Sequence, residues 1–114
     1  MDARTYQKLA ARTASEGNEV IHACMGIAGE SGEIVDYVKK GVFYGRNMDP
    51  MKIMEELGDL AWYMNLLINH LGYSWEMVFD MNIKKLSTRY PDLKFDADRA
   101  INRDDDAEQA AILG

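Results

Sequence analysis

Two pairs of acidic residues carry the chemistry that this sequence offers. Glu30 and Glu33 stand three residues apart in the run Gly29-Glu30-Ser31-Gly32-Glu33, and Glu56 and Asp59 stand three apart in Glu55-Glu56-Leu57-Gly58-Asp59. Positions three apart on an α-helix share a face. Two helices facing each other through these pairs would therefore gather four carboxylates. No Lys or Arg lies three residues from any of them. Carboxylates gathered without compensation repel one another unless a cation sits between them. Hard oxygen donors of this kind suit Mg²⁺, with Mn²⁺ as a substitute. The expectation is a carboxylate metal site built from Glu30, Glu33, Glu56 and Asp59.

A second group follows further along the chain. Asn82, Lys85 and Arg89 stand at i, i+3 and i+7, on one helical face. Asn82 falls within the apolar stripe of Trp75, Phe79 and Leu86, where a buried amide needs partners. It either bonds a neighbouring helix, or it orients a metal-ligating carboxylate or touches a substrate. Beside a metal quartet, Lys85 and Arg89 are phosphate binders. A di-iron carboxylate bundle is the competing metal site, and it needs a Glu-x-x-His motif on each of two helices. Glu19-Val20-Ile21-His22 is one such motif, but Leu67 stands three residues before His70, so the set is incomplete.

Positioning these groups takes helices, and the apolar spacing supplies them. Tyr6, Leu9, Ala10 and Thr13 predict a first helix near residues 3–14, followed by a turn around Gly17 with Asn18 as a cap. Val20, Cys24, Ile27, Ser31, Ile34, Val35 and Val38 predict a second helix over 19–40, ended by Gly41. Gly26, Gly29 and Gly32 lie inside it. Each costs a helix about 0.5–1 kcal/mol relative to alanine, so they call for close approach of a neighbouring helix, within the chain or between chains. Asp49-Pro50 is a helix start with a capping residue and proline at the first helical position. Ile53, Leu57, Leu60, Met64, Leu67, Ile68 and Leu71 carry the third helix to Gly72. Ser74 caps a fourth over 75–89, stopped by Pro91. Beyond Asp92 the periodicity fades. Residues 96–102 suit a turn of helix, and Asp104-Asp105-Asp106 with Glu108 reads as a solvated tail. No stretch alternates with period two. The expected fold is all-α: one four-helix-bundle-type domain over residues 1–114, with a hairpin of long second and third helices and a partly irregular tail over 92–114.

Helical phase relates the acids to these stripes. Counted from Val20, Glu30 falls at about 280° and Glu33 at about 220°. Counted from Ile53, Glu56 falls at about 300°, Asp59 at about 240° and Glu55 at about 200°. Both pairs flank their stripes in the same sense. Glu30 and Glu56 border the core, Glu33 and Asp59 lie further out, and Glu55 faces outward.

Composition bounds the partners. The chain has 114 residues, one domain by length, and a formal net charge of -6. That charge argues against a nucleic-acid polymer as partner, while an anionic substrate can still bind through bridging metal. The single Cys24 excludes an internal disulfide. No apolar run reaches about 18 residues and no signal-peptide core opens the sequence, so the expected location is cytoplasmic, with no membrane partner.

With its residues laid out in this way, the sequence resembles the MazG-like nucleotide pyrophosphohydrolases of the all-α NTP pyrophosphatase superfamily. Glu30-x-x-Glu33 and Glu56-x-x-Asp59 match the family signature, followed by Trp62-Tyr63, Asn82-x-x-Lys85-Leu86, Arg89-Tyr90-Pro91 and Asn102-Arg103-Asp104. The resemblance implies Mg²⁺-dependent hydrolysis of a nucleoside triphosphate, (d)NTP, to (d)NMP and pyrophosphate. It also implies metal binding by the four acids, and roles for Asn82 and Lys85 toward substrate or the metal ligands. It implies a homodimer or homotetramer with sites where helices of neighbouring chains meet. On this basis Glu33 and Glu56 are both candidates for general base, and Lys85, with Arg89 and Arg103, stabilises charge on the phosphoryl oxygens. Trp62, Tyr63, Phe43 and Tyr44 either stack a base or pack the core. Two alternatives stand beside this one. The same fold could hydrolyse another phosphorylated nucleotide such as an alarmone, or a non-catalytic helical oligomer could bind nucleotide, against which the intact acidic quartet argues.

Overall fold

The computed structural model describes residues 1–114 and contains six helices and no strand. They are α1 (Ala3–Ala11), α2 (Glu19–Phe43), α3 (Pro50–His70), α4 (Trp75–Arg89), α5 (Ala97–Ile101) and α6 (Asp105–Leu113). The chain divides into two compact units, Met1–Ser74 and Trp75–Gly114. The all-α expectation and the pairing of the long second and third helices hold.

In the first unit, α2 and α3 pack along each other and α1 lies on α3. The start of α3 follows the sequence signal: Pro50 occupies its first turn and the Asp49 carboxylate accepts from the Met51 N–H at 2.9 Å. At the start of α2, Asn18 adopts a left-handed conformation (φ 56°) and makes no side-chain cap. The Glu19 carboxylate instead reaches back into the preceding turn and accepts from the Gly17 N–H at 2.8 Å. Helix α2 also runs through Gly41 to Phe43, past the expected stop. The left-handed glycine that turns the chain is Gly45, at φ +65°. Tyr37 then ties the turn to the helix, its hydroxyl accepting from the Asp49 N–H at 2.7 Å.

The buried face of α3 keeps Ile68 of the expected stripe but takes in Asn65 and Leu66 beside it, while Leu57 and Leu71 are exposed. Asn65, 1 % exposed, donates to the Gln7 carbonyl at 3.3 Å. Gln7 in turn donates to Asn69 at 3.3 Å and to the Tyr73 carbonyl at 2.9 Å. These bonds fix α1 across α3. The expected close approach at the α2 glycines holds at one of them: a Cβ on Gly26 would clash with the Tyr63 ring. Gly29 and Gly32 face open space instead.

In the second unit α4 packs against α6. The acidic run expected as a solvated tail opens a helix. Asp104 caps α6 by accepting from the Ala107 N–H at 3.0 Å, and Asp105 and Asp106 lie in the first turn, where negative charge suits the helix dipole. Glu108 is 2 % exposed and forms a two-pronged bond with Arg89, at 2.8 Å to Nε and 3.1 Å to Nη2. Residues 96–102 do form the expected turn of helix, with Asp96 as its cap.

Candidate metal and nucleotide site

The α2–α3 pairing brings Glu30, Glu33 and Glu56 together, with one carboxylate oxygen of each within 4.8 Å of the others. The phase expectation holds for their depth. Glu56 is 6 % exposed, Glu30 is half-buried, and Glu33, Asp59 and Glu55 are exposed. Asp59 stands outside this trio. It lines a cleft of about 370 Å³ with Glu30, Trp62 and Tyr63. Its charge also reaches α1, where burial first and then Asp59 push the Tyr6 hydroxyl above its ordinary value. On the other side, a cleft of about 440 Å³ is lined by Glu33, Glu56, Gly29, Gly32 and Lys52, among others. The cluster thus lies between a cleft that carries aromatic rings and one in which Lys40 and Lys52 stand among Glu33, Asp36 and Glu56.

Its electrostatics are those of crowded acids. Glu30 Oε2 and Glu56 Oε2 are both shut off from water and have no hydrogen-bond partner. An unpaired buried carboxylate oxygen is costly. Without metal, the pair can lower that cost by holding a proton between them. Glu30 takes it: hydrogen bonding to Glu56, then burial, then the charges of Glu33 and Asp59 raise its carboxyl from 4.5 to about 7. Glu56 moves the other way. Lys52 Nζ lies 3.0 Å from Glu56 Oε1 and holds that carboxyl below its ordinary value, with Glu30 second. The picture of four uncompensated acids is therefore corrected. One cation belongs to the cluster, at the i,i+4 spacing of a helical ion pair rather than the i,i+3 spacing of the acids.

The donor set fits a divalent cation. Three carboxylates converge, two of their oxygens are buried and unpartnered, and all donors are hard oxygens. The di-iron pattern does not form. Glu19 is taken by the Gly17 N–H and stands 3.7 Å from His70, while His22 packs edge-on against Trp62 and Tyr63 at centroid distances of 6.2 and 5.5 Å. Those two rings meet edge-to-face at 5.1 Å, and the indole N–H of Trp62 donates to the Thr13 hydroxyl at 2.8 Å, which fixes its plane. Phe43 and Tyr44, at the far end of α2, are exposed and line neither cleft.

In the second unit, Asn82 is exposed on α4, which corrects its expected burial in the apolar stripe. Lys85 is half-buried, and its charge, after that of Arg89, helps hold Glu108 low. Arg89, expected to bind phosphate, has its guanidinium matched by Glu108 within the unit. Arg103 pairs with Asp105 at 3.0 Å on the surface.

A family model described as the MazG nucleotide pyrophosphohydrolase domain matches residues 4–94, and the chain belongs to that family. It is also similar to the Gene 37 protein of Mycobacterium phage L5, with 38% identity over 74 residues, 60% of this chain and 63% of that protein. The chain therefore spans less than two thirds of this relative's length. No solved structure matches it.

Proposed function

We propose that the protein is a Mg²⁺-dependent nucleotide pyrophosphohydrolase that converts a (d)NTP to (d)NMP and pyrophosphate, with Mn²⁺ able to replace Mg²⁺. The family match supports the reaction class. The observation that carries the metal dependence is the pair of buried, unpartnered oxygens, Glu30 Oε2 and Glu56 Oε2, inside a cluster of three acids. Glu30, Glu33 and Glu56 would hold the cation, with Asp59 beside them. Bound there, a divalent cation supplies Lewis-acid charge for the triphosphate and acidifies water.

The chain's own groups do the rest. Glu33 is exposed at the cluster's edge and Glu56 is buried within it, and in this reading either is the base that accepts a proton from attacking water. Attack at the α-phosphorus breaks its bond to the bridging oxygen, and that oxygen leaves with pyrophosphate. Trp62 and Tyr63 offer ring surface beside Glu30 and Asp59 for the base. Asn82, Lys85 and Arg103 keep their substrate-binding roles in this reading. Arg89 joins them only by sharing its charge with Glu108.

The active form in this reading is a homodimer or homotetramer. Support comes from apolar side chains left exposed on every long helix, including Met25 and Val35 of α2, Met51 and Met54 of α3, and Phe79 of α4. No helix is long and apolar enough to cross a membrane.

A panel of (d)NTPs with Mg²⁺ tests the proposal. Wild-type protein is expected to release monophosphate and pyrophosphate. Glu56→Gln and Asp59→Asn are each expected to lose at least about a hundredfold, on the scale of a lost charge-stabilising group. Full activity in both variants would overturn the metal assignment.

A further inference from the structure

We propose that α6 is a plug held in cis: its Glu108 carboxylate fills a phosphate position formed by Arg89 and Lys85 of α4, and a phosphoryl group of the nucleotide displaces it. This rests on the nucleotide reading above and adds a control on the same groups. Three observations converge on it, all within the second unit. First, the anchor of α6 is a charge. Glu108 is the one fully buried residue of that helix, at 2 % exposure. Ala107, Ala111 and Ile112 are half-buried beside it, and Leu113 is exposed. A helix ordinarily docks through an apolar face, whereas α6 docks through a carboxylate. Second, the group that receives this carboxylate suits an oxyanion. The Arg89 fork binds both oxygens, at 2.8 Å and 3.1 Å, and such a fork takes phosphate as well as carboxylate. Third, the charges do not balance. Arg89 first, then Lys85 and Arg103, hold the Glu108 carboxyl below its ordinary value. Arg103 has Asp105 at 3.0 Å, which leaves the single charge of Glu108 against those of Arg89 and Lys85. A phosphoryl group, with more charge and more oxygens, matches that pair better than a carboxylate does.

The plug is releasable. A nine-residue helix is marginal by itself. A buried ion pair adds little net stability, because desolvation offsets the attraction. Breaking it is costly where the guanidinium is left without an anion, and phosphate supplies one. With small apolar side chains as its other support, α6 belongs to the part of a fold that opens at low cost. Helix α4 lies within the residues matched by the family model and α6 lies beyond them, so the acid comes from outside the matched segment. Coupling between the two events is reciprocal. A phosphoryl group that expels Glu108 frees α6, and loss of the Glu108 charge tightens nucleotide binding.

Amide hydrogen exchange on the full chain reads the plug directly. With inorganic tripolyphosphate and Mg²⁺ as the probe, the α6 amides of wild type are expected to lose protection by about fivefold or more. A pair that is only structural predicts α6 protection unchanged or raised, and that result would overturn the proposal. Kinetics supply a second arm. Glu108→Gln keeps the shape of the side chain and removes its charge. It is expected to lower KM for the (d)NTP by about fivefold or more with kcat little changed, and the gain is expected to vanish when Arg89→Met is added. An unchanged or raised KM in a Glu108→Gln protein with native helical circular dichroism would also overturn the plug. Should that variant fail to fold, exchange in wild type decides alone. Wild-type protein that turned over no (d)NTP would sink the nucleotide reading itself, a result distinct from failure of the plug.

Discussion

Glu30 and Glu56 sit in one cluster and titrate in opposite directions, and that contrast sets the pH behaviour of the site. Glu56 is held low by Lys52, while Glu30 is raised to about 7, chiefly through its hydrogen bond to Glu56. For Glu30 the folded protein binds the proton more tightly than the unfolded chain. Its stabilising contribution is therefore complete below the ordinary value of 4.5 and is lost as pH rises from there through about 7. In metal-free buffer, Tm is expected to fall across that window in wild type and to fall less in Glu30→Gln. Metal competes with the same proton, so the Tm increase on adding Mn²⁺ is expected to grow over the same window. A Mn²⁺ shift independent of pH would contradict the proton-sharing pair. The convergence of Glu30, Glu33 and Glu56 was legible from spacing, because helical period fixes which side chains share a face, but the place of Asp59 outside that trio was not. Lys52 was not, since a cation four residues before Glu56 is invisible to a search at three. Asn82 was misplaced because one helix's stripe does not say which side its unit buries, and Phe79 of that stripe is itself exposed.

Helix α2 shows how one residue type serves separate ends within an element. Gly26 exists for the Tyr63 ring, whereas Gly29 and Gly32 face open space. Gly26→Ala is expected to destabilise by roughly 1–3 kcal/mol through overpacking, and Gly29→Ala to stabilise the helix by about 0.5–1 kcal/mol. Chemical denaturation of the two variants checks this pair, and equal effects would contradict the packing. The sequence showed that three helical glycines needed a reason but not which neighbour supplied it, because that neighbour lies 37 positions away on another helix, as Tyr63 does from Gly26. Helix α6 was missed for a related cause. Three consecutive aspartates read as solvent-facing charge, yet the first is a cap and the following Glu108 has its partner 19 positions upstream. Arg89 holds the Glu108 carboxyl below its ordinary value, so this contribution is present above 4.5 and lost as pH falls through that lowered value. Glu108→Ala leaves the guanidinium without its partner. Hydrogen exchange is expected to show α6 losing amide protection in that variant, and native-like protection would contradict a structural role for the pair.

At the scale of the whole molecule, the core is small for the number of large apolar side chains. Ala10, Ala23, Leu66, Ile68 and Trp75 are the apolar residues fully inside, while Met25, Val35, Met54 and Phe79 are among those left in water. Covering such side chains is what the proposed assembly would do. Light scattering at micromolar concentration is expected to report a dimer or tetramer, and a stable monomer would contradict that assembly. The helical class and the α2–α3 hairpin were readable because both depend on local periodicity and turn chemistry. The division into units of residues 1–74 and 75–114 was not, since it depends on which faces meet at long range. In the proposed reaction this chain places a divalent cation against a nucleoside triphosphate and directs water to the α-phosphorus. Hydrolysis in ¹⁸O-labelled water with Mg²⁺ tests it most directly. One labelled oxygen is expected in the monophosphate, none in the pyrophosphate, and no turnover on chelation. Label in the pyrophosphate, or turnover that persists without divalent metal, would contradict it.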